Sequence, residues 1–169
     1  NFFYEQNKSS ELINKKNKTL NFEDVQNNLV KDISYKKIYS STGDRFLIEA
    51  DFGKFIDDNN EIIEITNVNA SISREDGTVV YITSDNAKYD TIKNDTNFMN
   101  DVELKYLEHK TNSDYMDLIF SENLIQAYGN LMYQNLEYNL FADKMELDLI
   151  SKNTKIFMHD NTKVKIKKK

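Results

Sequence analysis

Alternation of apolar and polar residues with a period of two is the feature of this chain that most restricts its fold. In the segments 46–52, 68–73, 102–106 and 145–149, every second residue is apolar and most residues between them are polar or charged. Successive side chains of a strand point to opposite faces of the sheet, so this pattern buries one face and exposes the other. Because it recurs from about residue 34 to the end, the chain is predicted to be all-β with antiparallel strands.

Short polar segments rich in Gly, Asn, Asp and Ser separate the predicted strands. These residues favour tight turns because they tolerate positive φ or hydrogen-bond to their own backbone. The predicted turns are 42–44, 57–60, 75–77, 93–95, 111–113, 128–130, 151–153 and 160–161. This spacing implies roughly ten or more short strands, in an elongated, twisted antiparallel β-jellyroll or open sandwich. No long helical pattern lies between the strands, which argues against a βαβ fold.

The length of 169 residues indicates one folded domain, predicted to span residues 34–169. Residues 1–33 lack the period of two and are predicted to be a flexible or partly helical lead-in. Phe2, Phe3 and Tyr4 resemble the end of an apolar segment such as a removed membrane anchor, and they equally suit an ordinary chain terminus.

A short sequence pattern, which we call the sequence echo, also recurs along the chain. Residues 82–90 and 141–148 each contain an apolar strand, a small residue followed by Asp, and more apolar residues, and 48–51 opens a looser third copy. Repetition of one strand-turn-strand unit is typical of stacked sheets that share a continuous core.

Composition excludes several kinds of chemistry. The chain has no cysteine, so disulfides, thiol nucleophiles and thiolate metal sites are excluded. Its histidines, His109 and His159, have no second histidine nearby to build a zinc site. The net charge of −6 and the presence of only two arginines, Arg45 and Arg74, argue against a nucleic-acid partner. We therefore predict no catalytic residues, no metal, no cofactor and no enzymatic activity.

Acidic residues leave two weaker alternatives. Asp57 with Asp58, or Asp114 with Asp117, could supply calcium ligands, but no EF-hand spacing is present. A carboxylate pair for glycoside hydrolysis arises easily by chance among 28 acidic residues.

The aromatic-rich apolar stripes fit two interpretations, a packed core or an apolar groove between two incompletely closed sheets, and the sequence does not separate them. The predicted groove lining is Phe46, Ile48, Phe52, Ile72, Ile82, Tyr89, Phe98, Val102, Leu104, Phe120, Tyr138, Leu140 and Leu147. It assumes which stripe of each strand faces inward, and a shift of one residue in register would reverse it.

The C-terminal segment 162–169 alternates lysine with apolar residues and then ends in lysines. A terminal strand is commonly a sheet edge, so Val164, Lys165 and Ile166 are predicted to form an edge that pairs with a partner. Alternatively, the lysines protect the edge against random pairing or contact acidic head groups.

Several of these segments resemble the LptC-type lipopolysaccharide-export proteins, and the related LptA-type bridge proteins share the same patterns. They are LVKDISY at 29–35, STGDRFLIEAD at 41–51, VYITSDNAKYD at 80–90, FMNDV at 98–102, LFADKMELD at 140–148 and KIFM at 155–158. The resemblance covers roughly residues 28–168 and consists of strand-and-turn patterns. The glycines expected near the family's C-terminal repeat are sparse here, so no individual functional residue is transferred.

The resemblance implies an open jellyroll that holds the acyl chains of lipid A between its sheets. It implies a periplasmic lipopolysaccharide-binding component, anchored to the inner membrane by an N-terminal helix absent from this sequence. This component would receive lipid from an LptB/LptF/LptG-type transporter and pass it to an LptA-like bridge protein through the C-terminal edge strand. The apolar start at Phe2–Tyr4 favours LptC over LptA. The alternative function is a structural or adhesin-like β-scaffold that binds protein or glycan partners.

Overall fold

The structure is a computed structural model that describes residues 29–38, 43–56, 58, 60–159 and 162–169. It confirms the predicted all-β fold, with one short 3₁₀ turn at Phe120–Glu122. The strands are β1 (Leu29–Ile38), β2 (Arg45–Phe55), β3 (Ile62–Ser73), β4 (Val79–Asp90), β5 (Thr96–Tyr106), β6 (His109–Ile119), β7 (Leu124–Gln134), β8 (Tyr138–Asp148), β9 (Thr154–Phe157) and β10 (Lys165–Lys168).

All ten strands belong to one antiparallel sheet in which each strand from β1 to β8 pairs with the next. The free side of β8 is shared by two short strands: β9 pairs with residues 144–147 and β10 with residues 138–141. The sheet therefore has nine rows, and the ninth row is β9 followed by β10. In the described part of the chain β1 does not pair with this ninth row, so the sheet is open.

The regular pairing of the long strands is disturbed near their middles, along one line that crosses the sheet. Asp32, Asn67, Asn100, Asp101 and Asn130 adopt positive φ on this line. The register also shifts there in each pairing from β4–β5 to β7–β8. Extra residues of this kind bend a strand and break its strict alternation. We call this line the kink row.

The two halves of the bent strands form two facing layers. The upper layer contains the strand halves that meet the turns at 74–78, 107–108 and 135–137, and the lower layer contains those that meet the turns at 91–95, 120–123 and 149–153. The ring of Phe46 in the upper layer lies 4.9 Å from that of Phe120 in the lower layer. Thr111 of the upper layer likewise contacts Met145 of the lower layer, with Oγ1 and Sδ 3.9 Å apart.

Apolar side chains fill the space between the layers. The completely buried ones come from both layers and from all central strands: Ile82, Ala87, Phe98, Val102, Met116, Leu118, Ile125 and Ala127. Because every second residue on each side of the kink row belongs to this core, burial of apolar area is what holds the layers together.

Two of the predicted turns were wrong. Residues 111–113 and 128–130 lie inside β6 and β7, at or next to the kink row, and the chain reverses instead at 107–108 and 135–137. Leu136 is in the latter turn and 76 % exposed. That turn is stabilised by Asn135, whose Oδ1 accepts hydrogen bonds from the backbone N–H groups of Glu137 and Tyr138. The predicted lead-in falls mainly on 1–28, outside the described residues, while residues 29–33 belong to β1.

Candidate functional site

Twelve of the thirteen residues predicted to line a groove lie in or against the core between the layers. The upper layer contributes Phe46, Ile48, Ile72, Ile82, Val102, Leu104, Tyr138 and Leu140, and the lower layer contributes Tyr89, Phe98, Phe120 and Leu147. Phe120, Tyr138 and Leu147 are half-buried, and the others are buried. The sequence therefore located the interior face, while lipid contact at these residues stays a prediction.

Phe52 does not belong to this interior and is 43 % exposed. The buried residues of β2 that flank the kink are Ala50 and Gly53, so two consecutive residues between them, Asp51 and Phe52, point outward. A strict period of two cannot represent this break, which is why the sequence placed Phe52 inside.

A ladder of hydrogen bonds runs along the kink row. Asn67 Nδ2 donates to Asp51 Oδ2 at 2.8 Å, and Asn130 Nδ2 donates to Asp114 Oδ2 at 2.7 Å. In β8 the corresponding Asp143 accepts from the backbone N–H of His159 at 2.6 Å. In all three pairs the partners are 16 residues apart. The kink therefore uses the same device in β2, β6 and β8, namely an aspartate that accepts a hydrogen bond from the neighbouring row.

The same device explains the sequence echo. The aspartate of the kink follows a buried small residue in β2, β4, β6 and β8, namely Ala50, Ser84, Ser113 and Ala142. Asp85, Asp114 and Asp143 recur at intervals of 29 residues. Local patterning does not identify the β6 copy, because Ser113 lies in a segment that is predicted to be a turn. The 29-residue interval is the signal that identifies this copy.

On the side opposite the kink row, contacts between strand ends close the two layers. Lys152 Nζ lies 2.7 Å from Asp76 Oδ2, and Arg74 donates to the carbonyl oxygen of Leu149. We call these four residues the clasp. The hydrogen bond from Lys152 holds the pKa of Asp76 well below its usual range, and the pKa of Lys152 is raised by the same contact. Both side chains of the ion pair are exposed, so water competes with this closure.

A second closure lies near β1. The hydroxyls of Tyr35 and Tyr89 both donate to Asn94 Oδ1, at 3.0 and 3.2 Å. Asn94 is buried, so this polar group satisfies its hydrogen-bonding capacity inside the protein. The closures on this side are non-covalent, since the chain has no cysteine.

A series of neighbouring aromatic rings borders the interior at the end of the upper layer. The ring centroids of Tyr106 and His109 are 6.4 Å apart, those of His109 and Tyr133 are 5.8 Å apart, and those of Tyr133 and Tyr138 are 6.2 Å apart. The imidazole Nδ1 of His109 contacts the hydroxyl of Tyr133, and burial raises the pKa of that hydroxyl. These rings combine apolar faces with polar edges, which suits a boundary between an apolar interior and water.

Among the residues that the structure describes, no group of three or more His, Asp or Glu side chains is placed to hold a metal ion. In the same part of the chain, no helix has the length and apolar character needed to span a membrane.

Comparisons with known proteins add a structural likeness. No protein-family profile matches the chain, and no curated protein matches it. Among solved structures, it superposes with a TM-score of 0.56 on LptH, the LptA-homologous periplasmic component of the lipopolysaccharide transport device of Pseudomonas aeruginosa. The match covers 72 % of this chain and 92 % of that one at 9 % identity.

The two proteins share a fold. Because almost the full length of LptH is covered, the likeness concerns most of the sheet and not a single hairpin.

Proposed function

We propose that this chain is a periplasmic lipopolysaccharide-binding component of a lipopolysaccharide transport bridge, and is not an enzyme. In this role it receives lipid from an inner-membrane transporter of the LptB/LptF/LptG type and passes it to the next bridge protein. The observation that carries the proposal is an open sheet folded into two apolar-lined layers, with the fold of LptH. Within this family we assign it the LptC role, which is that of the component anchored to the inner membrane.

The interior offers the chemistry that acyl chains need. An acyl chain binds without a covalent step when its apolar surface is removed from water, which contributes about 25 cal/mol per Å². The inward faces of both layers present aliphatic and aromatic side chains along all central rows. Transfer to a neighbour then requires only that the next site has a similar affinity.

Loading requires the layers to separate, because side chains fill the interior. The strands are continuous through the kink row, whereas on the opposite side the layers meet through non-covalent contacts such as the exposed Asp76–Lys152 ion pair. We therefore expect the clasp side to open, with the kink row as the hinge.

The direct test is site-specific photo-crosslinking in cells that make lipopolysaccharide. A photoreactive residue is placed at Ile82, Val102 or Leu140, and matched controls carry it at Thr83 and Glu103, which face outward. We expect lipopolysaccharide adducts at the three inward positions and none at the two controls. Equal adducts on both faces, or none at inward positions of a folded protein, would contradict the proposal.

A second experiment tests the opening. The variant Asp76→Cys/Lys152→Cys is joined by a short bismaleimide linker, and the absence of native cysteines makes this modification specific. The linked protein is expected to lose adduct formation at Ile82, while the same variant without linker retains it. Unchanged loading of the linked protein would show that lipid enters elsewhere.

The filled interior favours one competing function, a structural or adhesin-like scaffold that binds protein or glycan partners through its surface. It predicts a folded domain without lipopolysaccharide adducts at any position, so the same crosslinking series separates the two functions.

A further inference from the structure

Within the described residues, the two edges of the sheet that pair with no further strand carry a concentration of lysine that the rest of the surface lacks. The C-terminal edge, residues 162–169, contains five lysines and no acidic residue. The opposite edge, β1, contains Lys31, Lys36 and Lys37 against a single acidic residue, Asp32. The chain as a whole has a net charge of −6, so this positive charge at the edges is a local feature.

Several lysines of the inner strands face acidic neighbours. Glu103 forms ion pairs with both Lys105 and Lys110. On the outer face of the lower layer, Glu64 lies between Lys54 and Lys88 in the strand register. Opposite charges on neighbouring strands stabilise a sheet, and like charges destabilise it.

The lysines of the C-terminal edge have no such neighbours. Lys165, Lys167 and Lys168 lie opposite Phe141, Asn139 and Tyr138 of β8. Lys167 Nζ lies over the ring of Phe141 at 5.4 Å from its centroid, and Lys169 donates to a backbone carbonyl oxygen. Within the described residues, no ion pair involves any lysine from 163 to 169, and all four residues of β10 are exposed.

We propose that the C-terminal edge binds an extended acidic strand of a different protein and rejects a second copy of this chain. The proposal rests on the proposed function in one respect, since it takes the C-terminal edge as the surface that docks the next bridge protein. Pairing between copies would bring the lysines of β1 beside those of β10, in neighbouring strands about 4.8 Å apart. Such like-charge contacts oppose self-association and favour an acidic partner.

The register also specifies the pattern of the partner strand. Lys165 and Lys167 lie on the outer face, and Ile166 between them lies on the face of buried Leu140. Ile166 is 64 % exposed, so an apolar side chain of the partner would complete its burial. The complementary strand therefore alternates acidic residues on the outer face with apolar residues on the inner face.

Peptide binding to the full chain tests this pattern. The probe is a labelled peptide of alternating Glu and Val, compared with a Lys/Val peptide and with a Glu/Val peptide that is N-methylated on alternate backbone nitrogens. We expect only the unmodified Glu/Val peptide to bind, and we expect more salt to weaken its binding. Equal binding of the N-methylated peptide would show that charge attracts the peptide without strand pairing. Equal binding of the Lys/Val peptide would show that charge does not determine which peptide binds. Either result overturns the proposal.

A charge-reversal variant tests the location. Lys165→Glu/Lys167→Glu is expected to weaken Glu/Val peptide binding at least tenfold. The matched control Lys88→Glu/Lys93→Glu changes the net charge equally at a distance from the edge and should bind normally. The edge variant is also expected to self-associate in sedimentation velocity, because its acidic β10 now complements the lysines of β1, whereas the native chain stays monomeric. Association of the native chain through its edges at low salt would overturn the proposal.

Failure of this inference is distinguishable from failure of the proposed function. The edge variant should still form lipopolysaccharide adducts from Ile82, because the interior is unchanged. Adducts without acidic-peptide binding would refute the edge proposal alone.

Discussion

Asn130 Nδ2 lies 2.7 Å from Asp114 Oδ2, and Asn130 itself has a φ of 47°. One residue therefore both bends its strand and joins it to the neighbouring one. Asparagine suits this position because it tolerates the left-handed region better than most residues and its amide can donate.

Replacing Asn130 separates these two contributions. Asn130→Ala removes the hydrogen bond and retains the unfavourable backbone, so it should lower the free energy of unfolding by about 1–3 kcal/mol. Asn130→Gly removes only the hydrogen bond, because glycine adopts positive φ without strain, and should be less destabilising. Urea denaturation of both variants measures the difference. Equal stabilities would mean that the kink is not strained at this position.

Breaking the clasp is expected to affect the two turns that it joins and to leave the global stability of the protein nearly unchanged. Lys152→Met removes the ion pair with Asp76, and we expect faster hydrogen exchange at the amides of Gly77 and Lys152, in the two turns that the clasp joins. The urea midpoint should change little, because exposed ion pairs contribute little to stability. Lys93→Met, in a different turn, is the control and should leave both amides unchanged. Faster exchange in only one of the turns would argue against a clasp.

Glu103 predicts a specific acid sensitivity. Its hydrogen bonds with Lys105 and Lys110 lower the pKa of its carboxyl from 4.5 to about 2 in the folded protein. A depressed pKa stabilises the fold above the unfolded value of 4.5, and this stabilisation is lost as the pH falls through about 2. The variant Glu103→Gln has no carboxyl group at this position to titrate. It should therefore lose less stability than the native protein as the pH falls from 4.5 to about 2. Thermal midpoints of both proteins from pH 2 to 6 provide the comparison, and parallel curves would contradict the assignment.

Burial predicts a contrast between two isoleucines. Ile82 is completely buried between the layers, and Ile92 is 68 % exposed in a turn. Ile82→Ala should cost about 2–5 kcal/mol of unfolding free energy through lost burial and a cavity. Ile92→Ala should cost less than about 0.5 kcal/mol. Urea denaturation checks both values, and a small loss for Ile82→Ala would indicate that the layers collapse around the gap.

The period of two was sufficient to predict the all-β fold and the interior position of residues such as Ile82 and Leu140. The period of two did not predict the kink row, because Asn, Asp, Ser and Gly occur in two kinds of structure here. Asn135 lies in a turn between strands, whereas Ser113 and Gly129 lie at a kink within a strand. Both conformations need the same local chemistry, so single-residue preferences cannot separate them.

Contacts between the layers could not be predicted at all. Asp76 and Lys152 are 76 residues apart, and neither lies in a pattern that points to the other. Their meeting depends on how far the bent sheet is offset when its layers face each other. That offset depends on the bend and twist accumulated over all rows, so it cannot be predicted from any short segment of the sequence.

The nine rows of the sheet give any assembly of such units a direction. Strand direction alternates from row to row, so β1 in the first row and β9–β10 in the ninth run the same way. A following domain built on the same plan, docked so that its layers continue those of this one, must therefore join by a parallel ladder, with evenly spaced, slanted hydrogen bonds. Every junction would then have the same orientation, and a chain of these domains would be a polar filament with distinguishable ends.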